Sequence, residues 1–312
     1  MAQNDTRRVI VSRSTDPSWN LAVEEYLFDT LPERTSILFL YTNGLAVVIG
    51  KHQNPWLEVN IPKLVEKQIP LLRRISGGGA VYHDEGNLNF SFLGPRNGFD
   101  RQGNLDMVRK ALLCLGVRAD SVGTADLCVN GEKASGNAFC FRRDHGLHHG
   151  TLLIDADLAL LKGLLSPPAI PIETHAVRSR RAQTMNLSSS HRGITRESLI
   201  TSLAEVFTGP AADRETISPE GCTAPQVTRL AERNMSWEWN FGQTPDFRIN
   251  IDGLTVMVRK GCIHSLEGDF SASPALQRLL GLPFRKQDLR KMLEGASGGA
   301  RTAIEALLAL ST

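Results

Sequence analysis

Arg73-Arg74-Ile75-Ser76-Gly77-Gly78-Gly79-Ala80-Val81-Tyr82-His83-Asp84-Glu85-Gly86-Asn87-Leu88-Asn89-Phe90-Ser91 carries more meaning than any other stretch of this 312-residue chain. Three consecutive glycines lie between an arginine pair and a short apolar run. Glycine lets the backbone turn freely and lets a ligand approach main-chain N–H groups closely. The two guanidinium forks suit phosphate or carboxylate. The combination points to a pocket for an anionic small molecule. No Gly-Lys-Ser/Thr follows, so it is not a Walker loop, and no G-x-G-x-x-G opens a helix here. A purely structural turn is the weaker reading, because a glycine run weakens a sheet unless something must come close to it.

Outward from this stretch, Leu71–Arg74 reads as a strand leading in, and 80–82 and 87–93 as strands leading out. Upstream, residues 9–12 suit a strand. Asp16-Pro17 reads as an N-cap with proline at the first helical position, and Trp19, Ala22, Val23, Tyr26 and Leu27 repeat at helical spacing to about Leu31. The apolar runs 36–41 and 46–50 flank Asn43-Gly44, a hairpin signal. Downstream come a helix over 104–116, a hairpin at Asn130-Gly131 between 127–129 and 133–141, a strand over 151–155 and a helix over 157–165. Residues 166–171 read as loop, and 195–208 and 225–235 as helices. The pattern changes near Gly242–Pro245. Short strands at 247–251, 254–258 and 262–265 follow, separated by Asp252-Gly253 and Lys260-Gly261, then helices near 273–280, 286–294 and 300–310. Clustered strands joined by hairpins predict an α+β fold with mixed, largely antiparallel sheets flanked by helices. The predicted division is 1–243 and a small α+β unit over 244–312, separable and mobile about the Gly242–Pro245 hinge.

Apolar content of 41%, charged content of 22% and a formal net charge of +2 are ordinary for a globular protein. They give no ground for nucleic-acid or membrane binding. The five cysteines are widely spaced without C-x-x-C, a pattern of free thiols rather than a disulfide framework. Met1 to Arg8 carries no apolar signal core, so the expectation is a soluble cytoplasmic monomer, or a mitochondrial matrix protein if a presequence has been removed.

Two further motifs share the theme of the first. In Asn130-Gly-Glu-Lys-Ala-Ser-Gly-Asn137, Lys133 follows a tight turn and has small neighbours, so it can lie against a ligand and neutralise its charge. In His148-His149-Gly150-Thr151, with His145 nearby, a zinc reading fails for want of cysteine or carboxylate partners at known spacing. Histidines hydrogen-bonded to backbone are the better reading. Ser76 beside His83 lacks the G-x-S-x-G elbow of a serine nucleophile.

Together these motifs resemble the lipoate–protein ligase family, part of the superfamily shared with biotin–protein ligases. The resemblance rests on residues 73–87, Lys133–Ala138 and His148–Leu153, with support from Asn20–Glu24, Gly50–Asn54, Val177–Arg180 and Ser236–Gly242. It implies a two-step reaction. Lipoate attacks the α-phosphate of ATP, and a lysine of an acceptor domain then takes the lipoyl group from lipoyl-AMP. It assigns Arg74, Gly79, Ala80, Val81 and Tyr82 to the nucleotide. Ser76, Gly77, Gly78, His83, Gly136, His149, Gly150 and Thr151 go to lipoate, and Lys133 to both. Asn87 and Asp126 become candidates for Mg²⁺, although the common family form has Asn before that Asp and this chain has Ala125. The resemblance leaves the role of Arg178 and Arg180 open, with closure over the adenylate as one reading. The implied acceptors are lipoyl domains of 2-oxoacid dehydrogenase complexes and the glycine cleavage H protein. The stretch after 245 looks like the family's accessory domain, and is expected to swing once adenylate forms. The alternatives are an acyl transferase working without ATP, for which Cys128 and Cys140 would be thiol candidates, and a transferase of ready-made lipoyl-AMP. Lipoate and octanoate both remain open as substrates.

Overall fold

The computed structural model describes residues 6–123, 126–210, 213–251 and 253–311. Ala125 and Asp252, both singled out above, lie outside the described residues. Fifteen strands build the sheets: β1 (Thr6–Ser12), β2 (Thr35–Tyr41), β3 (Ala46–Ile49), β4 (Leu71–Arg73), β5 (Val81–His83), β6 (Asn87–Pro95), β7 (Asp120–Val122), β8 (Asp126–Val129), β9 (Glu132–Arg142), β10 (His145–Leu153), β11 (Ile172–Thr174), β12 (Arg214–Ile217), β13 (Phe247–Ile251), β14 (Leu254–Arg259) and β15 (Cys262–Gly268). Eight form one sheet in the order β12-β1-β2-β6-β10-β9-β8-β7, three form β4-β3-β5, and four form β11-β13-β14-β15. The fold is α+β with antiparallel-rich mixed sheets, as the pattern predicts. The pairs β1 with β2, β1 with β12 and β3 with β4 are parallel.

The period of two decides what each strand offers. On β2, Leu38 and Leu40 join the core beneath the helices Arg101–Cys114 and Arg196–Thr208, while Ile37, Phe39 and Tyr41 face the helix Pro17–Asp29. On β6, Leu88, Phe90 and Phe92 take the first side, which leaves Asn89 and Ser91 on the other. Helix Pro17–Asp29 begins where the sequence says: Asp16 accepts from the N–H groups of Ser18 and Trp19, with Pro17 next to the cap. It is buried on nearly every side, Glu24 and Glu25 included.

Two hairpin readings hold and one does not. Asn130 (φ 53°) with Gly131 (φ 85°), and Lys260 (φ 48°) with Gly261 (φ 71°), carry the consecutive positive φ values of tight hairpin turns. Asn43-Gly44 joins no hairpin, because β2 lies in the eight-stranded sheet and β3 in the three-stranded one. Asn43 is fully buried, and its amide is spent on Asn20 and His83. The turn signal is in truth a crossing between sheets. The short elements β7, β11 and β12 and the helices Pro55–Glu58 and Ile61–Glu66 have too little periodicity to be read from sequence.

The C-terminal sheet takes its edge strand, β11, from well upstream, pairing Glu173 with Arg248. Its core contains Trp56, whose ring lies 5.1 Å from Phe247 and 5.4 Å from both Phe241 and Phe284. Arg73 adds a second link. Its guanidinium donates to the carbonyls of Gly50, Lys51, Gln53, Trp239 and Asn240 and to the Thr244 hydroxyl. Burial lowers its pKa to about 10, so it stays charged. The reading of both arginines as anion-binding forks is corrected here: Arg73 ties the chain before β13 to the turn after β3 and has no donor to spare for a ligand.

Candidate active site

The three-stranded sheet faces the β2–β6–β10 side of the large sheet, and a cleft opens between them. One chamber, of about 330 Å³, is walled by Tyr41 and Asn89 from the large sheet, Val48, Val81 and His83 from the small one, and Leu21 from the first helix. A second, of about 690 Å³, runs on past Tyr82, Leu153, Leu158, Leu161 and Leu165. Ala80, Val81, Lys133, Gly136, Thr151 and Arg178–Arg180 line both. Lys133 therefore stands at the junction of a narrow chamber and a broader one.

The glycine loop lines the narrow chamber at Gly78 and Gly79. Gly78 has φ +87°, and a Cβ there would lie 2.9 Å from Nη2 of Arg74. Arg74 is buried, and four of its five N–H groups are spent on the protein. Nε donates to Ser76 Oγ, Nη1 to the Val48 carbonyl, and Nη2 to the carbonyls of Gly77 and Gly79. Arg74 lines the chamber, but its main work is to brace the loop from within.

Behind the loop lies a buried polar chain. The Ser76 hydroxyl is 2.6 Å from Nε2 of His149, whose Nδ1 is 2.9 Å from both Glu24 oxygens. Tyr41 and Ser91 also donate to Glu24. Burial alone would raise the Glu24 pKa. The charge and hydrogen bond of His149, with those from Ser91 and Tyr41, outweigh it and hold the carboxylate below its ordinary value. Ser76 is 1% exposed and is absent from both chamber walls, so it anchors the loop rather than meeting a ligand. Glu24 carries no role in the sequence reading. Its signal was there: it stands in phase with Asn20, Leu27 and Leu31, a polar residue on an apolar stripe.

Lys133 sits on β9 just past the hairpin. The segment after the strap described below clamps its backbone: Lys133 N–H donates to Gln183 O and Met185 N–H to Lys133 O. Its Nζ lies 2.7 Å from Oδ1 of Asp126. Gly136 and Thr151 flank it in the wall, and Gly150 follows on β10 against Asn137 and Phe90. Among the described residues no group of three or more His, Cys, Asp or Glu is placed to hold a metal. Of the two oxygen donors named for Mg²⁺, Asp126 reaches a chamber wall and Asn87 lines neither chamber. Buried Asn87 keeps Oδ1 without a partner.

A strap, residues 177–180, closes one side. Ser179 Oγ accepts from the N–H of Ala80, next to the glycines, and from Nε2 of Gln53. Ser179 N–H donates to Glu58, which also pairs with Arg178 at 3.2 Å. Gln53 and Ser179 lie in stretches that support the family resemblance but carry no role of their own in the sequence reading, and Glu58 is not singled out there; the three converge only in the fold.

The three histidines separate by strand parity. His149 faces the chamber. His148 points the other way, 4.4 Å from the Phe139 ring, with Nε2 bonded to Asn137. His145 bonds the Phe28 carbonyl, as expected of a histidine serving backbone, but the same expectation fails for His148 and His149, which bond side chains. All five cysteines are free, and burial raises the pKa of Cys128 and Cys140, so neither is an activated thiol.

Fold and site define a class: a two-sheet cleft in which a braced glycine loop faces one lysine across joined chambers. The chain belongs to the lipoyl protein ligase A/B catalytic domain family, whose model matches residues 16–208. Over 97% of its length it superposes on 98% of LipL1 of P. falciparum, solved in complex with lipoate, at 26% identity and TM-score 0.69. A lipoate-protein ligase A bound with ATP matches 75% of the chain over 98% of its own, at 23% identity and TM-score 0.61. The bi-partite lipoate protein ligase of Thermoplasma acidophilum, described with its E2 lipoyl domain, matches 75% over 96% at 22% and TM-score 0.61. The last two, below 25% identity, speak for the fold.

Proposed function

We propose that this protein is an ATP-dependent, AMP-forming lipoate–protein ligase. In the first step a lipoate carboxylate oxygen attacks the α-phosphorus of ATP and pyrophosphate leaves. In the second the amine of an acceptor lysine attacks the lipoyl carbonyl carbon and AMP leaves. The observation that carries this reading is Lys133 at the junction of the two chambers. An acyl chain in the narrow chamber and a nucleotide in the broad one would meet at its ammonium, where negative charge builds in both transition states.

The main-chain N–H groups of Gly79 to Tyr82 would receive the nucleotide, once Ser179 gives up that of Ala80. Arg178 and Arg180 line both chambers and would close over the phosphates. Gly77, Gly78, His83, His149, Gly150 and Thr151 would enclose the acyl chain, with Ser76 and Arg74 holding the loop. Asp126 would hold Mg²⁺, which when bound offsets phosphate charge. The acceptors we infer are lipoyl domains of 2-oxoacid dehydrogenase complexes, as the bi-partite relative's E2 lipoyl domain suggests, and the glycine cleavage H protein. Among the described residues no helix is long and apolar enough to cross a membrane.

Incubation with lipoate and ATP, without acceptor, tests the reading. Lipoyl-AMP should accumulate on the protein and pyrophosphate be released. Acyl transfer from a carrier protein without ATP would overturn it. Use of added lipoyl-AMP but not of lipoate plus ATP would replace it with an adenylate-dependent transferase.

A further inference from the structure

Glu58 is at odds with its surroundings. Lys133, Lys162, Arg178, Arg180 and Arg181 line the broad chamber, and among the described residues Glu58 is the only carboxylate in that wall. A carboxylate there opposes an incoming polyanion unless a cation answers its charge. The Glu58 side chain is 4% exposed, and its partners are few. Oε2 accepts from the Ser179 N–H at 3.0 Å, and Oε1 lies 3.2 Å from Nε of Arg178. Both partners stand on the strap. An exposed ion pair contributes little, but a buried carboxylate that loses its partners is left uncompensated.

The base beneath Glu58 is fixed. Glu58 ends the short helix Pro55–Glu58, which Asn54 caps and whose Trp56 is fully buried in the C-terminal aromatic cluster. The strap is tied on both sides. Val177 N–H donates to the His52 carbonyl, and Gln183 and Met185 clamp the Lys133 backbone. Gln53 is fully buried, and its Oε1 accepts from the Gly50 N–H, so its Nε2 is the donor to Ser179 Oγ. Arg178 spends Nε on Glu58, while Nη1 and Nη2 have no partner among the described residues. Its side chain is 57% exposed and lines both chambers. A guanidinium held by Nε keeps both Nη groups for a phosphate.

We propose that Glu58 is a positioning residue for the nucleotide: it holds Arg178 by Nε, so that the two Nη groups meet the phosphates without first ordering a free side chain. This rests on the function proposed above, in which the broad chamber takes ATP. Glu58 itself touches no ligand. The sign of its effect separates this role from a bare charge in the wall. Acting only through space, a neutralised Glu58 would strengthen nucleotide binding. Acting through Arg178, its neutralisation weakens nucleotide binding, because the guanidinium is no longer pre-organised.

The test is direct binding of α,β-methylene-ATP, which cannot release pyrophosphate. Dissociation constants for it and for lipoate are measured by calorimetry on the full chain, on Glu58→Gln, on Arg178→Ala and on the double variant. Glu58→Gln should weaken the nucleotide about tenfold and leave lipoate within about twofold. In the Arg178→Ala background the same change should cost no more than about twofold, because the group it positions is gone. Tighter or unchanged nucleotide binding in Glu58→Gln, full additivity in the double variant, or an equal loss for lipoate would overturn the proposal. Should Glu58→Gln fail to fold, Arg178→Lys decides. One ammonium cannot pair with Glu58 and also offer a fork to phosphate, so its nucleotide affinity should fall as in Arg178→Ala, and wild-type affinity would overturn the proposal. Nucleotide affinities that move as expected, with no lipoyl-AMP formed from lipoate and ATP, sink the ligase reading alone. Lipoyl-AMP formation with an unmoved Glu58→Gln sinks this inference alone, and a wild type that binds no nucleotide sinks both.

Discussion

Single residues show how far sequence reaches into this site and where it stops. Lys133 was singled out by the small residues around it and by the family resemblance, and the fold puts it in the wall of both chambers. Arg73 and Arg74 were not separable, since one ends β4 and the other opens the glycine loop, and only the fold says what each meets. One braces the glycine loop, and the other ties β4 to the chain before β13. Buried histidines also set a pH response. The folded-state pKa of both His83 and His148 is lowered to about 3 from an ordinary 6.5, chiefly by burial. The unfolded chain therefore takes up protons first as pH falls. The stability tied to their neutral state is complete above about 6.5 and is lost down to about 3, at about 1.4 kcal/mol per pH unit for each histidine. Urea midpoints should drop steeply between pH 7 and pH 5, and less steeply in His148→Phe. A flat profile in wild type would contradict this burial account.

At the level of elements, turns with positive φ were legible and sheet membership was not. Asn130-Gly131 and Lys260-Gly261 are local devices, and local chemistry decided them. Asn43-Gly44 has the same composition, but Asn43 is consumed by tertiary hydrogen bonds to Asn20 and His83. The glycine loop depends in the same way on a distant turn. A Cβ on Gly50 would lie 2.2 Å from the carbonyl oxygen of Gly78, so backbone must move to admit it. Gly50→Ala touches no proposed ligand, yet displacement of the loop by about 1 Å should lower the rate of adenylation on the order of 100-fold. Stopped-flow pyrophosphate release measures this. A wild-type rate in a folded Gly50→Ala protein would show that the loop's position is not what the turn after β3 controls.

Over the whole molecule, the change of pattern at Gly242–Pro245 was visible, but the ties across it were not. Trp56, Phe247 and Phe284 are far apart in sequence, and β11 joins the C-terminal sheet from upstream. A fragment ending near 243 strips Trp56 of two aromatic neighbours and β11 of its partner. We expect a cooperative but weaker fold, less stable than the full chain by about 3–5 kcal/mol, the range for losing a large aromatic contact. Denaturant melts of fragment and full chain give the difference, and equal stability would show that the shared cluster contributes nothing. Any swing of the C-terminal unit during turnover has to break this cluster or carry Trp56 along.

The central claim is that one amine, Lys133 at the meeting of two chambers, serves both chemical steps. The direct test gives the Lys133→Ala protein two substrates in turn. With lipoate and ATP it should form no lipoyl-AMP, a loss on the order of 3 kcal/mol or more in barrier. With synthetic lipoyl-AMP and an acceptor lipoyl domain, transfer should fall by a similar factor, while the melting transition stays near that of wild type. Loss of the first step with wild-type transfer from lipoyl-AMP would contradict the account, as would wild-type adenylation.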